Sequence, residues 1–199
     1  MTLVERFSVV TPADWVSGPG QGHWTYNHYV ALQDDGHRYE IVDGVLYMLL
    51  SPSEPHQSAV AWLCHYLMFH VQVVGLGRTY IAPFDVELAA DVVVQPDVIA
   101  VLNAQREKIT PSRIVGAPDL VVEVSSPATI GYDRRQKQDA YARAGVSEYW
   151  IADAAAKTVE VLFLEENVYQ SRGVFTGRDS LVSWVVPTII AVPIEKFFA

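Results

Sequence analysis

The sequence predicts a mixed α/β layer domain, and three observations carry that expectation. First, His56, Val60, Leu63, Leu67, Val71 and Val74 recur at spacings of three and four, the apolar stripe of one helix face. Second, Asp43-Gly44 separates two apolar runs; a type I′ turn needs positive φ at both central residues, so this pair marks a two-residue hairpin. Third, the β-branched run Leu120 to Ser125 is followed by a helical pattern over Asp133 to Ala144 and then by further strands. The order helix, hairpin, helix, strands, helix, strands belongs to a layered α/β domain.

The elements follow in turn. Residues 1–24 carry Pro12, Gly18, Pro19, Gly20 and Gly22 and read as an arm and loop, with one helical turn after Thr11-Pro12-Ala13. Thr25 is placed to cap a helix from Tyr26 to about Gln33, which Asp34-Asp35-Gly36 stops. Arg38 to Val42 and Val45 to Leu50 form the hairpin, and Ser51-Pro52-Ser53-Glu54-Pro55 leads into the helix that Gly75 ends. Strands are expected at Thr79 to Ala82, Asp85 to Ala89 and Val92 to Leu102; Pro96 in the last implies an edge or a bulge. Arg106 to Arg113 is a charged loop or short helix. Gly145 ends the helix begun at Asp133. Glu148 to Ala152, Thr158 to Leu164 and Val168 to Phe175 are strands, the last two a hairpin around Glu165-Glu166-Asn167. A short strand at Ser183 to Val186 and a final turn at Ile194 to Phe198 complete the chain. No repeat or linker interrupts it, so 1–199 is taken as one domain: arm 1–24, core 25–175 and extension 176–199.

Composition narrows the function. Half of the 199 residues are hydrophobic and 19% are charged, enough for a full core and the opposite of a disordered balance. The net charge of −9 argues against a broad nucleic-acid surface, because neutralising phosphates drives such binding. It leaves room for a local site where a metal screens the acids. Cys64 is the lone cysteine, which excludes an internal disulfide and a zinc–thiolate cluster. The N-terminal residues lack a secretory pattern, and Trp184 to Ile194, the longest apolar run, is broken by prolines and too short to span a bilayer. A cytoplasmic protein with no membrane association is expected.

The usual phosphate-loop, nucleophile-elbow and zincin signatures are missing. Acids inside strands remain. In Leu120 to Ser125, Val121, Glu123 and Ser125 share one face and Leu120, Val122 and Val124 the other. Glu123 therefore sits mid-strand in apolar surroundings, where an unpaired carboxylate is costly; it needs a basic side chain or a metal. Asp97 poses the same problem within Val92 to Ile99. Acids on paired strands lie roughly 4.8 Å apart, which suits shared ligation of Mg²⁺. Asp119 is a rival partner, but four residues along one strand is about 13 Å, too far for one ion.

Pro96-Asp97 … Glu123-x-Ser125 resembles the Pro-Asp … (Asp/Glu)-x-Lys signature of restriction-endonuclease-like proteins. Adding Tyr39-Glu40-x-x-Asp43-Gly44, Ser51-Pro52 with His56, Pro118-Asp119-Leu120-Val121-Val122-Glu123-Val124, and Asp133-x-x-x-Lys137-x-x-x-Tyr141-x-x-x-Gly145-Val146-x-Glu148-Tyr149-Trp150-x-x-Asp153, the chain resembles the restriction-endonuclease-like Uma-two family over roughly 25–175. The resemblance implies a restriction-endonuclease-like mixed core sheet flanked by helices and an endonuclease dependent on Mg²⁺ or Mn²⁺, acting on DNA. It implies Asp97, Glu123 and Glu40, the acid from the N-terminal part, as catalytic metal ligands with the Val124 carbonyl, and Lys137 as the catalytic ammonium, because Ser125 stands at the usual lysine position. Asp133, Lys137 and Tyr141 fall on one helix stripe. Nuclease folds of this type often work as homodimers. Two rival expectations stand beside this one: a nuclease fold that has become an inactive binding or assembly module, and a hydrolase of small phosphate esters.

Overall fold

The computed structural model describes residues 9–187 and 192–198. Among the described residues, twelve strands form two six-stranded sheets. One sheet runs β1 (Thr11–Pro12), β3 (Val45–Met48), β2 (Tyr39–Val42), β6 (Val92–Val94), β5 (Asp85–Ala89), β8 (Arg113–Val115). The other runs β12 (Val168–Thr176), β11 (Thr158–Glu165), β10 (Glu148–Asp153), β9 (Leu120–Ser125), β7 (Val98–Leu102), β4 (Gly77–Ile81).

The second sheet is the centre of the molecule, and β9 is its most enclosed strand: all six of its residues are buried. Its two faces enter different cores, as strand alternation requires. Leu120, Val122 and Val124 pack with Ala59, Val60, Leu63 and Leu67 of helix α2 (Glu54–Leu67). Val121 packs on the opposite side with Tyr141, Tyr149 and residues of the first sheet such as Val42 and Val94. That side is crossed by the helical connection from β9 to its parallel neighbour β10, a βαβ unit. The connection comprises α3 (Ile130–Tyr132), a wide π turn over Asp133–Lys137, and α4 (Gln138–Ala144). Gly145 closes it at φ 88°, a left-handed C-cap that costs glycine nothing.

The hairpin β2–β3 forms on Asp43 and Gly44, at φ 53° and 70°. A second two-residue turn, Glu166 and Asn167 at φ 49° and 64°, joins β11 to β12. Both are type I′-like turns whose twist matches the flanking strands. The α1 helix (Tyr26–Tyr29) is shorter than expected. Helix α2 continues through a π turn, Met68–Val73, before Gly75.

Several expectations need correction. The run Val92 to Leu102 is two strands in two different sheets: β6 ends at Val94 and β7 begins at Val98. Pro96 has no N–H to donate, and the N–H of Gln95 leaves the ladder to bond the carboxylate of Glu40 at 2.7 Å. The chain therefore changes sheet at Gln95-Pro96-Asp97, and Asp97 sits at the crossing. Thr11–Pro12 adds a short edge strand on β3, and the turn expected after Ala13 follows it, with the Val16 N–H donating to the Ala13 carbonyl at 3.1 Å. Arg106 to Arg113 becomes a 3₁₀ segment, Asn103–Lys108, and a strand, β8, that pairs with β5. Ser183 to Val186 is not a strand; Glu148 Oε2 accepts from Ser183 Oγ and from the N–H groups of Trp184 and Val185 at 2.7–3.0 Å, which uses the backbone donors a ladder would need. Ile194–Phe198 forms the expected final turn as a 3₁₀ helix. Part of the Trp184 to Ile194 run lies outside the described residues.

Candidate active site

Register brings the two strand acids together. Strands β7 and β9 are antiparallel, with Val98 opposite Val122. One step further places Asp97 across from Glu123. Asp97 is held through one oxygen: Oδ2 accepts the Val124 N–H at 2.8 Å and lies 3.2 Å from His56 Nε2. A residue's N–H and C=O face the same edge of a strand, so the Val124 carbonyl is directed toward the Asp97 edge as well. Glu123 is likewise held through one oxygen: Oε1 accepts from Lys137 Nζ at 2.7 Å and from the Tyr141 hydroxyl at 2.6 Å. The second oxygen of each acid has no hydrogen bond to the described residues.

Lys137 is 3% exposed and Glu40 is fully buried. The ammonium lies 2.9 Å from Glu40 Oε1, so it bridges Glu40 and Glu123. Glu40 uses both oxygens, since Oε1 also accepts the Gln95 N–H and Oε2 accepts the Tyr132 hydroxyl at 3.2 Å. Burial pushes the Tyr132 and Tyr141 phenols well above their ordinary range, which keeps them as donors. Burial disfavours the Lys137 ammonium, but Glu123, Glu40 and Asp133 outweigh it and raise its pKa, so it remains an ammonium. Burial raises the Glu123 carboxyl well above its usual value, opposed by Lys137 and reinforced by Asp97, Asp133 and Glu40. Asp133 is raised by burial too, while Lys137 and the Ser125 and Thr129 hydroxyls pull it down. Ser125 Oγ donates to Asp133 Oδ2 at 2.7 Å. Ser125 thus fastens the start of the π turn from which Lys137 projects. Extra-wide helical turns of this kind recur at functional sites.

Asp97, Glu123, Val124, Lys137, Asp133 and His56 line one cavity of about 170 Å³. At ~30 Å³ per water that is roughly five or six waters, room for a hydrated ion or a phosphate group. Among the described residues no three His, Cys, Asp or Glu side chains are grouped as a metal cage. Mg²⁺ commonly takes only one or two carboxylates and completes its shell with water and substrate phosphate. The two half-used carboxylates and the Val124 carbonyl suit that ion by donor chemistry.

A family described as Uma2, "Putative restriction endonuclease", matches residues 26–193. The chain belongs to the Uma2 family. The match runs past 175 into the segment read as an extension. A crystal structure titled as a putative nuclease belonging to DUF820 from Anabaena variabilis ATCC 29413 superimposes with a TM-score of 0.71. The two are 18% identical, over 88% of this chain and 97% of that one, so the likeness shows a shared mixed α/β fold. No curated protein matches the chain. No helix among the described residues is long and apolar enough to cross a membrane.

In this Uma2 chain the residues singled out from sequence fall into two groups. Asp97, Glu123, Val124 and Lys137 line the cavity, whereas Glu40 lies behind Lys137 with both oxygens engaged. Asp119 does not approach the site; its Oδ2 accepts the Leu102 N–H at 2.7 Å. Sequence reasoning gave no role to Tyr132. Tyr141 was detectable from its place on the Asp133–Lys137 stripe. Tyr132 and Gln95 had no local signal, because each meets Glu40 across many intervening residues.

Proposed function

We propose that this Uma2 protein is a nuclease that hydrolyses DNA phosphodiester bonds with Mg²⁺ or Mn²⁺. One observation carries it: Asp97 and Glu123 face each other across β7 and β9, each with one oxygen left for a cavity that also holds the Lys137 ammonium. Asp97, Glu123 and the Val124 carbonyl are the ion's ligands. Glu40 joins them only where Lys137 shifts off it; otherwise it fixes Lys137. A divalent ion in such a site polarises the phosphate and lowers the pKa of a bound water. Lys137, kept charged by its acids, orients the attacking water and offsets negative charge developing at phosphorus. His56 and the Val124 N–H hold the Asp97 carboxylate in place. A duplex presents two strands, so a homodimer is part of the same proposal. The test is cleavage of plasmid DNA with Mg²⁺ or Mn²⁺; activity no greater than that of Asp97→Ala overturns it.

A second reading is an inactive binding or assembly module. It is favoured by Lys137 already bridging Glu40 and Glu123 without a metal, and by the net charge of −9. Calorimetry separates the two: heat of Mg²⁺ or Mn²⁺ binding that disappears in Asp97→Ala supports the nuclease, and its absence in the wild type supports the module.

A further inference from the structure

The cavity contains a second cation whose charge is not spent on the acids of the described residues. Arg38, on the strand side of the cavity, is half-buried. Its Nε donates to Gln95 Oε1 at 2.9 Å. Gln95 is itself fixed, because its Nε2 donates to Asp85 Oδ1 at 2.8 Å and to the Tyr29 oxygen at 3.0 Å. The other half-buried arginines, Arg113 and Arg172, are paired with Glu87 and Glu165. Arg38 alone among the half-buried arginines described has no carboxylate partner.

A guanidinium anchored by a neutral amide keeps its terminal N–H groups and its full charge for something else. An acid at Gln95 would have neutralised it. Lys137 supplies only part of the charge an incoming anion needs, since Glu40 and Glu123 already share it. In a chain of net charge −9, an anion entering a cavity lined by Asp97, Glu123 and Asp133 needs such a cation. The planar fork of arginine matches two oxygens of a phosphate, where lysine offers only a point charge.

We infer that Arg38 is a phosphate-binding residue, presented by Gln95 to hold a phosphate group of the substrate at the mouth of the Asp97–Glu123 cavity. The inference rests on the phosphodiesterase reading for the identity of the substrate, but the anion site itself does not require cleavage.

The experiment therefore has two arms. In the first, inorganic phosphate is titrated calorimetrically, with Mg²⁺ present, into wild type, Arg38→Met and Arg38→Lys, each shown to be folded by circular dichroism. Phosphate binds the wild type; Arg38→Met weakens it about tenfold or more, as for a lost charge-assisted hydrogen-bond pair. Arg38→Lys, which keeps the charge but loses the fork, falls between, and it carries the test should the methionine variant not fold. In the second arm, DNA cleavage by Arg38→Met shows a raised KM with kcat little changed, the pattern of lost ground-state binding. Equal phosphate affinity in wild type and Arg38→Met, or no phosphate binding by wild type, overturns the inference. Arg38-dependent phosphate binding by a wild type that cuts no DNA sinks the nuclease reading and leaves the anion site standing. Cleavage by the wild type, with KM and phosphate affinity unchanged in Arg38→Met, does the reverse.

Discussion

The Lys137 ammonium lies 2.7 Å from Glu123 Oε1 in a place where both side chains are almost fully buried. The contact joins a π turn to the middle of the most enclosed strand. The same ammonium reaches Glu40 on the other sheet, so one charge ties three elements together.

Removing that charge exposes how the acids are balanced. In Lys137→Met, Glu40 and Glu123 remain buried without their cation, and breaking a buried pair costs about 3–5 kcal/mol. Chemical denaturation at neutral pH should show a loss of that size. The loss shrinks as the pH falls, because protonating Glu123, whose carboxyl burial holds above its usual value, relieves the repulsion. Mg²⁺ added to the variant should recover part of it. A variant as stable as wild type across the pH range would mean that the bridge is energetically idle.

Asp97→Asn separates chemistry from architecture. The amide oxygen still accepts the Val124 N–H, so stability should change by only about 1 kcal/mol. The ligand charge is gone, and Mg²⁺ affinity and cleavage rate should each fall by about 100-fold or more. Calorimetry and plasmid nicking check the two halves. Loss of stability without loss of metal affinity would make Asp97 a structural residue that only fastens β7 to β9.

How far these relationships were legible from sequence depended on their range. Alternation within Leu120 to Ser125 placed Glu123 on the correct face, and the hairpin turn at Asp43-Gly44 followed from its two residues, because both signals are local. The cost of a buried carboxylate announced that Glu123 needed a cation, and the stripe through Asp133, Lys137 and Tyr141 held the side chains that surround it. The break at Pro96 was misread as an irregularity within one strand, because a proline says that pairing fails but not which sheet the chain enters next. The bonds of Gln95 and Tyr132 to Glu40 span 55 and 92 residues, beyond any periodicity. Glu148 looked like the first residue of an ordinary strand, and nothing in its neighbours showed that the C-terminal segment would return to it.

That return gives a third prediction. Glu148 is fully buried, with Oε1 accepting the Trp150 indole N–H and Oε2 accepting three donors from Ser183 to Val185. Glu148→Ala strands these donors and should cost about 3 kcal/mol. Hydrogen exchange should rise at Trp184 and Val185. Metal affinity should stay at the wild-type value, because Glu148 does not line the cavity. Protection unchanged at those two amides would show that the acid does not hold the segment.

The pH dependence of metal binding follows from the raised carboxyl of Glu123. Burial lifts its folded-state pKa well above the ordinary value, with the neighbouring acids adding to the shift and Lys137 opposing it. A group raised in the folded state adds stability that is complete below its unfolded pKa of about 4.3 and is lost as the pH climbs through the folded value. Metal binding has the opposite sign, because the ion takes the carboxylate and must displace the proton. Mg²⁺ affinity should therefore fall about tenfold for each pH unit below the folded pKa of Glu123, starting at a pH well above that at which an exposed glutamate would protonate. Glu123→Gln, which cannot titrate, should bind Mg²⁺ weakly and without that slope, and its stability should lose the decline that the wild type shows as pH rises above about 4.3. Parallel titrations of Mg²⁺ affinity against pH for the two proteins decide the matter: the same slope in both would remove Glu123 from the ion's ligands.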